Sequence, residues 1–342
     1  MKGAFLYGPM DLRLLEVEKP VPVEGEVLVR VKAVGVCGSD IHYYLKGRTA
    51  VFVPKHPFIL GHEFSGIIEE SRGNKFRLGD RVVIEPQIPC FKCYYCRRGR
   101  YNLCSSLKFI GTAATYPHIN GAFAEYCKVP VEVLHKIPDD LGFEEAALAE
   151  PLSVAIHACR RASIRPGEKI LILGAGPIGL LTLIVAQLSG AVEPLIVDNV
   201  KRRLDWAKEF GGHPINFDIQ DVFEQVVEAT GGEGVDVVLE ASGAPKAVST
   251  ALKCVRKGGR IVLIGNLPDE DIPSRLLNIV IKELDVKGIM RYTNTFDVAI
   301  KLLSKKLIPS SKIITHTFSL EEIHKAFEVA INGEALKAIV KP

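Results

Sequence analysis

The chain has 342 residues, of which 47% are hydrophobic and 24% charged, room for two globular domains at about 100–200 residues each. A net charge of +3 is too small for a nucleic-acid or membrane surface, and Met1-Lys2-Gly3-Ala4-Phe5 lacks the apolar core of a signal peptide. The longest apolar run, Leu180 to Leu188, is interrupted by Thr182 and Gln187 and is too short to cross a bilayer, so a cytoplasmic protein is expected, and its eight cysteines point to metal before disulfides.

Residues 1–152 read as a β-rich domain. Glu26 to Val34 alternates apolar and polar side chains, the period of a half-buried strand. Ile67-Ile68, Arg81 to Ile84 and Ala124 to Val129 add short β-type runs separated by Gly and Pro. This predicts a small barrel-like domain of short strands with long functional loops. Within it, Cys37 is followed at some distance by His62 and Glu63. A thiolate, an imidazole and a carboxylate suit zinc, which acts as a Lewis acid where one position stays open. A buried cysteine and a hydrogen-bonded core histidine are the plainer alternative for each residue alone. The two motifs together, ahead of a nucleotide signature, favour the metal.

Cys90, Cys93, Cys96 and Cys104 follow as C-x2-C-x2-C-x7-C. Four thiolates at this spacing fit a closed tetrahedral zinc site, which is structural because no position is open. A redox pair or an iron–sulfur cluster is the alternative. Tyr94, Tyr95, Arg97, Arg98 and Arg100 interleave the cysteines. Without a wider basic field they read as a solvated loop rather than a nucleic-acid surface.

Residues 139–165 are rich in helix formers, and Pro151 is expected to break or kink the helix just after Glu150. A carboxylate at such a break can reach into a site, although an exposed helical glutamate is the simpler reading of this stretch taken alone.

Residues 153–290 read as a second domain. Lys169 to Leu173 is a short buried strand, Gly174-Ala175-Gly176-Pro177-Ile178-Gly179 follows, and Leu180 to Leu188 is helical. Glycines in G-x-G-x-x-G permit a tight turn, close approach of backbone amides to a pyrophosphate, and close helix–strand packing. A second strand, Pro194 to Val197, ends in Asp198, 24 residues after Gly174, where a ribose-binding carboxylate belongs. That carboxylate favours NAD over NADP; Lys201, Arg202 and Arg203 lie just beyond it. Helices at Arg203–Phe210, Val222–Thr230 and Pro245–Val255 alternate with strands at Val235–Leu239, Arg260–Ile264 and Leu284–Ile289, which predicts a doubly wound parallel sheet covered on both faces. Residues 291–342 add helices near Phe296–Ser304 and Leu320–Asn332 and a strand, Leu336–Val340, and are expected to return to the first domain.

Cys37-Gly38-Ser39-Asp40-Ile41-His42-Tyr43-Tyr44, Gly61-His62-Glu63, Gly99 to Cys104, Glu150 to Val154, Gly174 to Gly179 and Arg291 to Thr295 together carry a family likeness. The chain resembles the zinc-dependent medium-chain dehydrogenases along essentially its whole length, and among them the sorbitol (polyol) dehydrogenases. The resemblance implies a GroES-like catalytic domain beside a Rossmann domain. It implies a catalytic zinc at Cys37 and His62, completed by Glu63 and Glu150 as ligands or through water, and proton-relay positions at Ser39 and His42. Tyr43, Phe109, Thr112, Arg291 and Tyr292 match the polyol pocket. The implied cofactor contacts are Gly174, Gly176, Ile178, Gly179, Asp198, Arg203, Ile264 and Gly265. A homotetramer or homodimer, with no nucleic acid or membrane partner, is implied as well. In one departure, the family's next small residue after Gly66 falls on Arg72, with Gly73 one position late and a shorter loop to Gly79-Asp80.

The expected activity is hydride transfer to NAD from a secondary alcohol of a polyol or sugar-like substrate. Its rivals are the same chemistry on L-threonine, a sugar acid, an inositol-type cyclic polyol or a simple alcohol, and a zinc-stabilised nucleotide-binding protein without catalysis. Loss of Cys37, His62 or Glu150 would favour the last; all three are present.

Overall fold

Glu26–Gly35 forms the strand its alternation predicts and lies inside a seven-stranded sheet. The computed structural model describes residues 1–72 and 75–342, so the displaced Gly73 lies outside the described residues. Two compact units emerge, Met1–Glu150 with Thr293–Pro342, and Pro151–Tyr292.

In the first unit the sheet runs Leu134–Lys136, Arg81–Ile84, Glu63–Ser71, Glu26–Gly35, Lys337–Lys341, Ile314–Ser319, with Tyr126–Pro130 also paired to Glu26–Gly35. A smaller sheet joins Asp11–Glu16, Lys2–Gly8 and Phe58–Ile59. Val29, Val31, Phe64, Ile68, Val82, Ile84 and Phe123 fill the space between them, each at most 1% exposed. Burial at that level is worth roughly 1.5–3 kcal/mol for each large apolar side chain. The last strand, Lys337–Lys341, pairs antiparallel with Glu26–Gly35 through Ile339↔Gly35 and Val340↔Val34.

Where strands Glu26–Gly35 and Glu63–Ser71 pair antiparallel, Gly35 lies opposite Glu63 and Val34 opposite Phe64. A Cβ on Gly35 would run into Glu63 Oε2, so only glycine leaves room for that carboxylate. Two residues on, Cys37 caps a nine-residue helix, Gly38–Lys46, that closes on Gly47 at φ 64°. Ile41, His42, Tyr43 and Tyr44 are weak helix formers, which is why sequence pattern misses this helix. Asp40 secures its start by accepting from the Cys37 amide at 3.0 Å.

The break near Glu150 is not where Pro151 suggested. One helix, Phe143–Ala147, ends at Leu148, and a second, Ala149–Ala162, begins just before Glu150 and Pro151. In a first helical turn the proline's missing N–H costs nothing, so Pro151 starts a helix rather than interrupting one.

The second unit holds a fully parallel six-stranded sheet. Its order is His213–Asn216, Val192–Asp198, Lys169–Leu173, Val235–Glu240, Val255–Leu263, Asp285–Gly288. Strand order therefore reverses beside Lys169–Leu173, and ligands of such sheets bind in the crevice at that switch point. Gly174, at φ 100°, turns the chain out of the strand into helix Pro177–Leu188. A Cβ on Gly179 would strike the Gly174 carbonyl oxygen, which makes the last glycine of the motif a packing requirement. Among the described residues no helix is long and apolar enough to cross a membrane.

Candidate metal and cofactor sites

The Gly35↔Glu63 register brings the ends of two neighbouring strands together, and with them Cys37 and His62. A sulfur of Cys37, a ring nitrogen of His62 and a carboxylate oxygen of Glu63 lie within 4.8 Å of one another. His62 is 4% and Glu63 1% exposed. Behind the imidazole sits Asp40, fully buried, with Oδ1 3.7 Å from His62 Nδ1. Neither atom has a hydrogen-bond partner among the described residues. An Nδ1–H aimed at a carboxylate leaves Nε2 as the lone-pair ligand, the usual support of a metal-binding histidine.

The electrostatics ask for a cation. Burial disfavours the imidazolium, yet the Cys37, Asp40 and Glu150 charges outweigh it and push His62 up to about 10. Burial likewise raises Asp40 to about 6, against the pull of His62. Glu150, 6% exposed, is close enough for its charge to act on both His62 and Lys337. Such a pocket of S, N and O donors with surplus negative charge fits a zinc ion.

Two residues here escaped sequence reasoning. Asp40 could have been noticed as the third residue after a helix cap. Lys337 had no local signal: its ammonium, 274 residues from Glu63 in sequence, donates to Glu63 Oε2 at 2.7 Å and Oε1 at 3.0 Å.

Ser39 and His42 lie in the helix that Cys37 caps. Ser39 Oγ is buried without a partner among the described residues. Burial and nearby Lys46 hold the half-buried His42 below the ordinary imidazole value, so it is neutral and able to accept a proton at pH 7. Phe109, 4% exposed, packs edge-on to His62 with ring centroids 5.8 Å apart. Thr112, 7% exposed, accepts from the Ala114 amide. Tyr43 follows in the same helix as Ser39 and His42. It is fully buried against Phe58, and its hydroxyl accepts from the Ala113 amide at 3.1 Å. Arg291, at φ 54°, and the fully buried Tyr292 belong to the second unit.

Cys90, Cys93, Cys96 and Cys104 also converge, with their sulfurs within 4.8 Å of one another. Backbone amides of Cys96 and Ser105 hold Cys93 down at about 5, while burial and the neighbouring sulfurs push Cys96 up to about 12. Four thiolates cannot crowd together without a cation to offset them. A divalent ion still leaves two negative charges, and the stretch from Pro86 to Ala124 carries Lys92, Arg97, Arg98, Arg100 and Lys108 with no Asp or Glu. Zinc fits this set. Cys93→Ser is expected to lose one zinc per chain by elemental analysis. It should also lower Tm by a few degrees, since each kcal/mol lost moves Tm by about 1–2 °C in a chain of this length.

In the second unit, Asp198 ends its strand beside the glycine turn and is 6% exposed. Its Oδ2 accepts from the Ala175 amide at 2.8 Å, and its Oδ1 from Asn199 and Val200. Arg203 Nη1 stands 3.6 Å from the same carboxylate. Gly176 caps helix Pro177–Leu188, with Ile178 half-buried in the first turn. Ile264 and Gly265 follow the strand Val255–Leu263, both amides donating to the Glu240 carbonyl. Sequence pattern gave no hint of Glu240 either: its buried Oε1 accepts from Ser242 N, Ser242 Oγ and Gly243 N, which shapes the turn beside Gly265.

Comparison with known proteins agrees with this chemistry. Residues 23–139 match the family described as alcohol dehydrogenase GroES-like domain, and residues 177–305 the family described as zinc-binding dehydrogenase. The chain is 40% identical to a sorbitol dehydrogenase of Bacillus subtilis (strain 168), over 100% of this chain and 97% of that one. It is 40% identical to an L-idonate 5-dehydrogenase of Vitis vinifera, over 98% and 93%. An alcohol dehydrogenase from Escherichia coli CFT073, solved with NADH, superposes at a TM-score of 0.91 with 31% identity, covering 100% of this chain and 99% of that one.

Proposed function

Since the chain belongs to the zinc-binding alcohol and polyol dehydrogenases, we propose that it oxidises a secondary alcohol of a polyol or sugar-like substrate, with NAD as hydride acceptor and two zincs per chain. The observation that carries this reading is the Cys37–His62 centre backed by Asp40, in a chain whose other unit ends a strand with Asp198 beside a glycine turn. Cys37 and His62 would hold a zinc that would lend Lewis acidity to a substrate hydroxyl, and a nicotinamide held by the second unit would accept the hydride.

The chain's own residues do the rest. Asp40 orients His62, so the imidazole keeps one tautomer. Ser39 Oγ, buried and without a partner among the described residues, takes the hydroxyl proton, and neutral His42 passes it on toward solvent. Phe109 packs over the His62 ring and keeps that side of the centre dry. Glu150 adds negative charge beside His62, and Glu63 is paired with Lys337.

Substrate choice rests on Arg291, Thr112 and the relatives' own substrates, sorbitol and L-idonate. A guanidinium offers five donors in a rigid fork that holds paired hydroxyls or a carboxylate. L-idonate, a sugar acid, therefore stands as the second reading, favoured by the Vitis vinifera relative. A site that hydrogen-bonds several hydroxyls rejects analogues lacking them, because its own polar groups are left unpaired. In a panel of sorbitol, other polyols, L-idonate, inositol, L-threonine, ethanol and isopropanol, followed by NADH absorbance, polyhydroxylated compounds should exceed simple alcohols by about 10³ or more in kcat/KM. Arg291→Ala should erase most of that margin with NAD binding nearly intact. Turnover of isopropanol as fast as of any polyol would refute the substrate assignment.

A further inference from the structure

Glu240 ends strand Val235–Glu240 and is 0% exposed, with Leu173 beside it on one neighbouring strand and Leu263 on the other. Its Oε1 accepts from Ser242 N at 2.8 Å, Ser242 Oγ at 2.6 Å and Gly243 N at 2.8 Å. Three donors converging on one oxygen suit a carboxylate anion, yet all three are neutral. Oε2 has no hydrogen-bond partner among the described residues and faces Gly265, where a Cβ would lie 2.9 Å from it. A buried carboxylate without a cation is costly, because neutral donors restore only part of its lost hydration. The turns around it leave no room for side chains. A Cβ on Gly174 would meet Ser242 at 2.9 Å, and one on Gly265 would strike the Gly243 amide.

The place of this anion in the sheet gives it a partner. Strand Val235–Glu240 flanks Lys169–Leu173 on the side away from Asp198. A dinucleotide that crosses the switch point, with a ribose at Asp198 and its pyrophosphate at the Gly174–Gly179 turn, carries its nicotinamide half toward the ends of Val235–Glu240 and Val255–Leu263. The oxidised ring is a cation. A hydride brings it one hydrogen nucleus and two electrons from the alkoxide carbon, which becomes a carbonyl. The ring thereby loses its positive charge, while the pyrophosphate keeps its own. We propose that Glu240 is a fixed anion of the cofactor crevice that shifts binding toward the oxidised and away from the reduced nicotinamide. The reduced cofactor is then held less tightly and leaves sooner, and product release limits turnover in many enzymes. This inference rests on the dinucleotide reading of the second unit.

Calorimetric titrations of the full chain with NAD+, NADH and ADP-ribose, without substrate, test this on wild type, Glu240→Gln, Glu240→Asp and Ser242→Ala. Two unit charges in an effective dielectric constant of about 20 shift an equilibrium about fourfold at about 20 Å and about thirtyfold at about 8 Å. Glu240→Gln should therefore lower the ratio of the NADH Kd to the NAD+ Kd by about fivefold or more. Its affinity for ADP-ribose, which lacks the nicotinamide, should stay near that of wild type. Glu240→Asp keeps the charge on a shorter arm, and Ser242→Ala removes a donor but no charge. Both should keep the wild-type ratio, because a loosened turn weakens the two redox forms alike. A Glu240→Gln ratio equal to that of wild type, with ADP-ribose still bound, overturns this inference and spares the dinucleotide reading. A wild-type protein that binds no ADP-ribose overturns both. A Ser242→Ala ratio as low as that of Glu240→Gln also overturns the inference, since geometry and not charge would then set the preference. If Glu240→Gln does not fold, Glu240→Met, of similar volume and with no polar atom beside Gly265, is measured under the same criteria.

Discussion

Cys37→Ser is expected to lower kcat/KM by about a thousandfold or more while one zinc per chain remains. The thiolate is the one sulfur donor among Cys37, His62 and Glu63, and a neutral hydroxyl is a poor replacement. Lewis-acid stabilisation is worth several kcal/mol, and each 1.36 kcal/mol is tenfold in rate, which sets the expected magnitude. Unfolding does not confound the experiment. Cys37 occupies the cap position of helix Gly38–Lys46, where serine is among the preferred residues. Elemental analysis should therefore fall from two zincs to one with Tm nearly unchanged. Full activity with two zincs retained would remove Cys37 from the centre.

Wild-type enzyme is expected to prefer NAD to NADP by about 10²–10³ in kcat/KM. A 2′-phosphate placed at Asp198 faces a carboxylate that is 6% exposed and already held by the Ala175 amide. Like charges juxtaposed there cost several kcal/mol, at 1.4 kcal/mol per tenfold. Arg203 is the cation best placed to undo this, yet its guanidinium stands 3.6 Å from Asp198 and is already paired with it. Asp198→Ala removes the repulsion and frees Arg203 at once, so the preference should narrow sharply or reverse. The variant should also be less stable, because the Ala175, Asn199 and Val200 amides lose their acceptor, and leaving the buried Ala175 donor unsatisfied costs about 1–3 kcal/mol. Kinetics with both cofactors and a thermal scan separate the two effects. Equal use of NADP by the wild type would mean that Asp198 does not set the choice.

The sites differ in how far they could be read from the chain alone. The four-cysteine loop is local: its four sulfurs span Cys90 to Cys104, and spacing alone brings them together. The glycine turn and Asp198 are nearly as local, one strand–helix–strand unit apart, and their geometry follows from βαβ packing. Alternation along Glu26–Gly35 and the apolar runs of the parallel sheet were legible for the same reason, since periodicity records which face each residue buries. Helix Gly38–Lys46 was not legible, because its residues are poor helix formers and its cap and tertiary setting outweigh propensity. Nor did Pro151 reveal its role, which depends on whether it falls in the first turn of a helix or in its interior.

What the sequence determined by itself is the chemistry available: which thiolates, imidazoles and carboxylates exist, and which cluster along the chain. Only the tertiary structure decided which of them meet and which are restrained. The pairing of Gly35 with Glu63 across two antiparallel strands brings Cys37 to His62, and the addition of the last strand delivers Lys337 to Glu63. It also set the Tyr43 hydroxyl against the Ala113 amide, 70 residues along the chain. Strand register and chain return are set by how side chains pack between sheets, over separations of hundreds of residues, and no local pattern of residue types encodes which partner a buried charge will find.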